Sequence, residues 1–166
     1  GKELIIGATF NLTGDTAPYD IEGFRGAKLA IDRINSQGGV AGKWPIKFLY
    51  KDSRSDVAPI IPAVKEFLSK GAHVIHAGIF ANQQIAGAQV AARKGRMTVS
   101  AINSGPTAVY ALPKGYIFLV MMADNIMGAA AGQYAAEAGH KRVFLLRNKE
   151  ETYFLMWPWY FGEAFK

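Results

Sequence analysis

The sequence predicts an α/β fold, a parallel sheet flanked by helices on both faces, and two observations carry that expectation. Short apolar runs, each ending in glycine or small polar residues, recur along the 166 residues. Between them lie stretches of roughly 10–15 residues whose apolar positions recur at helical spacing, the pattern of strand–helix–strand units whose strands run parallel.

The first run is Leu4-Ile5-Ile6-Gly7-Ala8-Thr9-Phe10, which delivers Asn11, Leu12, Thr13 and Gly14 to a loop. Phe24, Ala27, Ile31 and Ile34 then fall on one face of a helix, which Gly38-Gly39 ends by tolerating positive φ. Residues 46–50 alternate as a second strand ending at Lys51-Asp52-Ser53, and Asp56 is placed as the N-cap of a helix carrying Val57, Ile60, Ile61, Val64, Phe67 and Leu68 on one side. Pro59 and Pro62 either delay the regular part of that helix or bend it. Gly71 closes it. Residues 73–79 form a third strand, Ile85, Ala88 and Ala92 mark the next helix, which ends near Lys94-Gly95, and residues 96–101 and 116–121 supply strands four and five. Such a sheet binds ligands beyond the carboxyl ends of its strands. Four loops are therefore the site candidates: 11–14, 52–56, 80–84 and 102–106.

Composition narrows the function classes. Half the residues are hydrophobic, yet no apolar run reaches the ~18–20 residues of a membrane-spanning helix. The net charge of +6 comes from 19 basic and 13 acidic residues, and the basic ones are scattered in ones and twos, without the run or basic helix face of a nucleic-acid binder. A field favouring anionic ligands is the simpler use of that charge. With no cysteine, disulfides, Cys-ligated zinc and thiol catalysis are excluded. His73 and His76 project to opposite faces of a strand and His140 lies in a loop, so no metal cluster is expected. No dinucleotide fingerprint or phosphate loop occurs, and no cofactor is expected. The best nucleophile set, Ser53 with Asp52 and Asp56, lacks a nearby base. The chain does not read as an enzyme.

The opening strand with Asn11-Leu12-Thr13-Gly14, followed by Gly23-Phe24-Arg25-Gly26-Ala27 through Asn35-Ser36-Gln37-Gly38-Gly39, resembles the start of the leucine/isoleucine/valine-binding family of periplasmic solute-binding proteins of ABC transporters. The resemblance covers essentially the whole chain and implies a type I periplasmic-binding fold whose two lobes close on a small ligand. It implies an amino-terminal lobe at residues 1–123, left after Tyr116-Ile117-Phe118 and Asp124. Residues 124–166 would open a second, incomplete lobe with a helix over 125–139, a strand over 142–146 and a final segment at 158–166. Family members are about twice as long, so a missing carboxyl-terminal part of the same protein is an implied partner, and surface awaiting it should be apolar. The opening residues show no signal pattern; a periplasmic protein in its mature form is the expectation.

The same resemblance implies the site. Tyr19 stands where the family places an aromatic flanking the ligand, or else packs on the lobe surface. Ala81 occupies the position of a hydroxyl residue that grips the ligand carboxylate, which leaves the amides of Asn82, Gln83 and Gln84 as donors. Ser104, with Asn103 beside it, matches the second hydroxyl position, and either holds ligand or stabilises its turn. Tyr153 lies near a ligand-facing tyrosine, with Phe154 or Trp157 as alternatives within an aromatic segment that otherwise packs in the core and between lobes. These residues imply capture of a hydrophobic or branched-chain amino acid or an aromatic acid, delivered to a membrane permease. A sensory receptor domain of the same fold is the alternative.

Overall fold

A computed structural model describes residues 2–149 and 151–166. The apolar runs become β1 (Leu4–Phe10), β2 (Ile46–Asp52), β3 (Val74–Ala77), β4 (Met97–Ser100) and β5 (Ile117–Leu119), and the periodic stretches become α1 (Ala17–Ser36), α2 (Ile60–Ser69), α3 (Ala81–Ala92), α4 (Thr107–Tyr110), α5 (Asp124–Glu137) and α6 (Thr152–Phe165). All strand pairings are parallel, in the order β2-β1-β3-β4-β5. The chain steps from β1 outward to β2 and then returns to the other side of β1. The order therefore reverses between β1 and β3, which opens a crevice at their carboxyl ends.

Each face of the sheet has its own filling. On one, Ile60, Val64 and Phe67 of α2 pack with Ile75, Ala77 and Ala91. Gly7 is needed there, because a Cβ on it would lie 2.6 Å from the Phe67 side chain. On the other, the rings of Phe10, Phe24, Phe48, Tyr50 and His76 form a cluster, with centroids 4.8 Å apart for Phe10–His76 and for Phe24–Tyr50. Phe24, Ala27, Ile31 and Ile34 are half-buried while the residues between them on α1 are exposed, as their spacing requires.

Three expectations need correction. Asp56 does not cap α2: the N-cap is Pro59, and Asp56 Oδ1 accepts the Ala58 amide at 3.1 Å in the turn before it. The proline ring disfavours helical backbone in the residue before it, so the helix cannot start earlier. Pro62 falls in the first turn, where an amide has no intrahelical acceptor to lose. Residues 142–146 form no strand, because no segment among the described residues lies alongside to complete a ladder. Phe144 and Leu146 are 87% and 79% exposed and Val120 73%, the exposed apolar surface expected of this region. Finally, the segment at 158–166 is not separate: residues 158–165 are the second half of α6, with Pro158 inside the helix and Lys166 as its C-cap. The break that an interior proline threatens is offset locally: the Phe154 carbonyl, which Pro158 cannot bond, accepts the Asn148 amide at 3.4 Å.

Asp20, in the first turn of α1, is fully buried. Burial pushes its carboxyl up to about 6 from the ordinary 3.8, although Asn11 N–H donates to Oδ2 at 2.6 Å. Because the folded value lies above the unfolded one, the folded chain binds the extra proton between about pH 4 and 6. The stability that this group contributes is fully present below that window and falls by about 3 kcal/mol as pH rises through it. Asp20→Asn keeps an acceptor for Asn11 and cannot ionise. Urea unfolding at pH 4 to 7 should show the parent losing stability relative to this variant; parallel profiles would refute the assignment.

Candidate functional site

The crevice between β1 and β3 is held by a buried polar cluster. Gln83, 2% exposed, turns its side chain back under the start of α3. Its Oε1 accepts Ile79 N–H at 3.2 Å and Phe80 N–H at 3.5 Å, and its Nε2 donates to Asn11 Oδ1 at 3.0 Å and the Asp56 carbonyl at 3.4 Å. Ser53 Oγ donates to the same Asn11 oxygen at 2.5 Å. Asp52 ties the two neighbouring loops: it accepts Leu12 N–H, Thr13 N–H, Thr13 Oγ–H and Arg54 N–H at 2.9, 3.2, 2.6 and 2.8 Å. Burial pushes its carboxyl up, but the Thr13 hydroxyl and the Arg54, Leu12 and Thr13 amides outweigh that and hold it below the usual range. Ser53 and Asp52 are thus spent on scaffold bonds.

Above this cluster lies a cavity of about 680 Å³, floored by the loops after β1, β2, β3 and β4 and walled by α5 and the start of α6. Tyr19, Ala81, Asn82, Gln83, Asn103, Ser104 and Tyr153 all line it, whereas Gln84, expected as a third amide donor, does not. Phe154 lines it as well, whereas Trp157 does not and instead stacks on Phe161 with centroids 6.1 Å apart. None of the α6 residues is fully buried.

The side chains divide by what remains free. Tyr19 is 70% exposed at the rim. The amide donors of α3 are fewer than expected: Asn82 Oδ1 accepts Gln83 N–H at 2.8 Å and the Phe80 carbonyl accepts Gln84 N–H at 2.9 Å. The amides of Ala81 and Asn82 have no acceptor among the described residues, and these two face the N-terminal end of the helix dipole. The Asn103 amide is engaged at both ends, Nδ2 donating to Gln84 Oε1 at 2.5 Å and Oδ1 accepting Gly105 N–H at 2.9 Å. Ser104 is 8% exposed, its carbonyl accepts Asp124 N–H at 2.9 Å, and its hydroxyl works to lower the Asp124 carboxyl pKa.

Asp124 is the residue that sequence reasoning missed as part of the site. It lines the cavity, is 2% exposed, and its Oδ1 has no partner among the described residues. Burial pushes its carboxyl up, against the Ser104 hydrogen bond. A lone carboxylate directly after an apolar strand was the available signal. Among the described residues no three His, Asp or Glu side chains are grouped to hold a metal ion. His73 Nδ1 accepts Ile5 N–H at 3.0 Å, and His76 Nδ1 bonds the Val99 carbonyl at 3.1 Å.

The sequence pattern that defines a family of periplasmic binding proteins matches residues 3–152. Among curated proteins, none matches the chain by sequence. Solved structures share the fold. The branched-chain amino acid transporter substrate-binding protein LivJ from Streptococcus pneumoniae, in complex with isoleucine, superposes with a TM-score of 0.84 at 22% identity over 99% of this chain and 46% of that one. The leucine-binding protein LivK from Thermotoga maritima gives 0.82 at 19% over 98% and 45%. A solute-binding protein of an ABC transporter from R. palustris, in complex with benzoate, gives 0.77 at 21% over 98% and 44%. The chain spans about half the length of these proteins.

Proposed function

Because the chain belongs to the periplasmic binding protein family, we propose that it forms the ligand-capturing part of an ABC importer's substrate-binding protein, acting outside the cytoplasmic membrane without catalysis. Residues 1–123 make the first lobe and residues 124–166 the beginning of the second, and closure of the lobes on the ligand presents the complex to a permease. The observation that carries this reading is the cavity at the strand ends, where two free helix amides face a mostly apolar wall.

The ligand is a small carboxylate with a hydrophobic or aromatic body. The amides of Ala81 and Asn82 hold the carboxylate at the α3 N-terminus, and Tyr19, Ile102, Tyr153 and Phe154 surround the body. Ser104 and Asp124 supply the remaining polar edge. Ligand stabilises closure by touching the residues on either side of the 123/124 boundary. Titration calorimetry on the intact polypeptide, with leucine against benzoate-type acids, should give binding of the aromatic acids; binding of leucine-class ligands alone would sink the ligand assignment. Ala81→Ser adds a hydroxyl beside the carboxylate subsite and should strengthen α-amino-acid binding about five-fold, the effect of one added hydrogen bond.

A further inference from the structure

The fold gathers basic residues that are far apart in sequence into one concave surface. Lys65 of α2 meets Arg93, Lys94 and Arg96, which follow α3, around a groove of about 600 Å³ floored by Leu68 and Val90 and edged by Ser69. All four cations are exposed, and none has a carboxylate within ion-pair reach among the described residues. The nearest acid on α2, Glu66, is engaged by Lys51 and Lys70. The helix dipole favours Arg93, the C-cap of α3, and Lys94 beside it, but it does not account for Lys65 in the middle of α2 or for Arg96 just before β4. Four like charges held together without counter-ions repel one another. An anion relieves that repulsion.

We infer that this groove docks the phosphate headgroup of an anionic phospholipid, so that the protein rests against a membrane surface through the pole opposite its ligand cavity. The geometry favours a phosphate ester with an apolar root: two guanidinium forks match phosphate oxygens, and Leu68 and Val90 offer apolar contact that inorganic phosphate would leave unused. The cations are exposed, so a single dissolved anion is held weakly at ordinary salt. An array of headgroups on one surface adds its field to each contact. Arg96 immediately precedes β4, at the amino ends of the strands, whereas the cavity lies at their carboxyl ends, so docking leaves the cavity open.

The test is co-sedimentation of the intact polypeptide with phosphatidylcholine vesicles, with and without phosphatidylglycerol, alongside calorimetry with glycerol phosphate. Binding should require phosphatidylglycerol, weaken about five-fold for each cation neutralised, and disappear at high salt. The double variant Lys65→Gln, Arg96→Gln should therefore lose about 25-fold while its circular dichroism and its cavity-ligand affinity stay unchanged. Equal binding to pure phosphatidylcholine, or an unaffected double variant, would overturn the inference. So would saturable binding of glycerol phosphate without vesicle binding, which would assign the groove to a dissolved phosphate ester, or tighter binding to an acidic peptide than to the vesicles.

Discussion

Replacing Gln83 with leucine should destabilise the chain by about 3 kcal/mol or more, the largest loss expected from any single polar side chain near the cavity. The side chain serves five groups at once: the Ile79 and Phe80 amides, the Asn11 Nδ2 donor, the Asn11 amide oxygen and the Asp56 carbonyl. Leucine fills the volume and bonds none of them. Asn11 is fully buried; its Oδ1 keeps the Ser53 hydroxyl, but its Nδ2 and the Ile79 and Phe80 amides lose the Gln83 acceptor, and each buried group left unbonded costs about 1–3 kcal/mol. Gln83→Glu separates the two halves of the role. It retains an acceptor for the Ile79 and Phe80 amides while removing the donor to Asn11, and should fall between parent and leucine variant. Urea unfolding midpoints give the ranking. A leucine variant within 1 kcal/mol of the parent, roughly one ordinary hydrogen bond, would show that the network is not what holds the α3 terminus.

That role was not legible in the sequence, and the reason is distance. The residues Phe80 to Gln84 read as a helix start whose amides face a ligand, because local chemistry alone places polar groups after an apolar strand. Whether a glutamine there faces the ligand or the scaffold depends on Asn11, 72 positions away. Asn103 poses the same problem: its amide is spent on Gln84 and Gly105, while Tyr19, which has no such partner across the crevice, stays free at the rim. The strands themselves were readable, since an apolar run ending in small polar residues encodes a buried strand and its exit together. Residues 142–146 fail for the complementary reason. Their pattern is strand-like, but a ladder needs a neighbour, and pattern cannot supply one. The basic groove is a third case, scattered charge in one dimension and a cluster in three.

Gly132 should be the position where adding a side chain most directly removes the second wall of the cavity. On α5 it faces the backbone of α6: a Cβ built there runs into the Phe161 carbonyl, and one on Gly128 would lie 2.8 Å from Tyr160 Cβ and 2.9 Å from the Trp157 carbonyl. These obstacles are backbone and stem atoms, not the tips of flexible side chains, so α6 must move as a unit. Tyr153 and Phe154 ride on its first turn and line the cavity. Gly132→Leu should therefore cost about 3 kcal/mol in the packing of α5 on α6, shift the emission of Trp157 and Trp159, and weaken ligand binding more than ten-fold, about 1.4 kcal/mol. Amide exchange in β1 and β3 should stay at parental levels, because the sheet core of Ile60, Val64, Phe67 and Ile75 lies elsewhere. Gly26 supplies the contrast. It too sits inside a helix, but a Cβ there meets nothing within 4 Å, so Gly26→Ala should stabilise by about 0.5–1 kcal/mol through helix propensity and a less flexible unfolded chain. Opposite signs at two helical glycines would tie the Gly132 loss to the approach of α6; a Gly132→Leu variant that binds ligand like the parent would mean that α6 can shift without carrying the wall away.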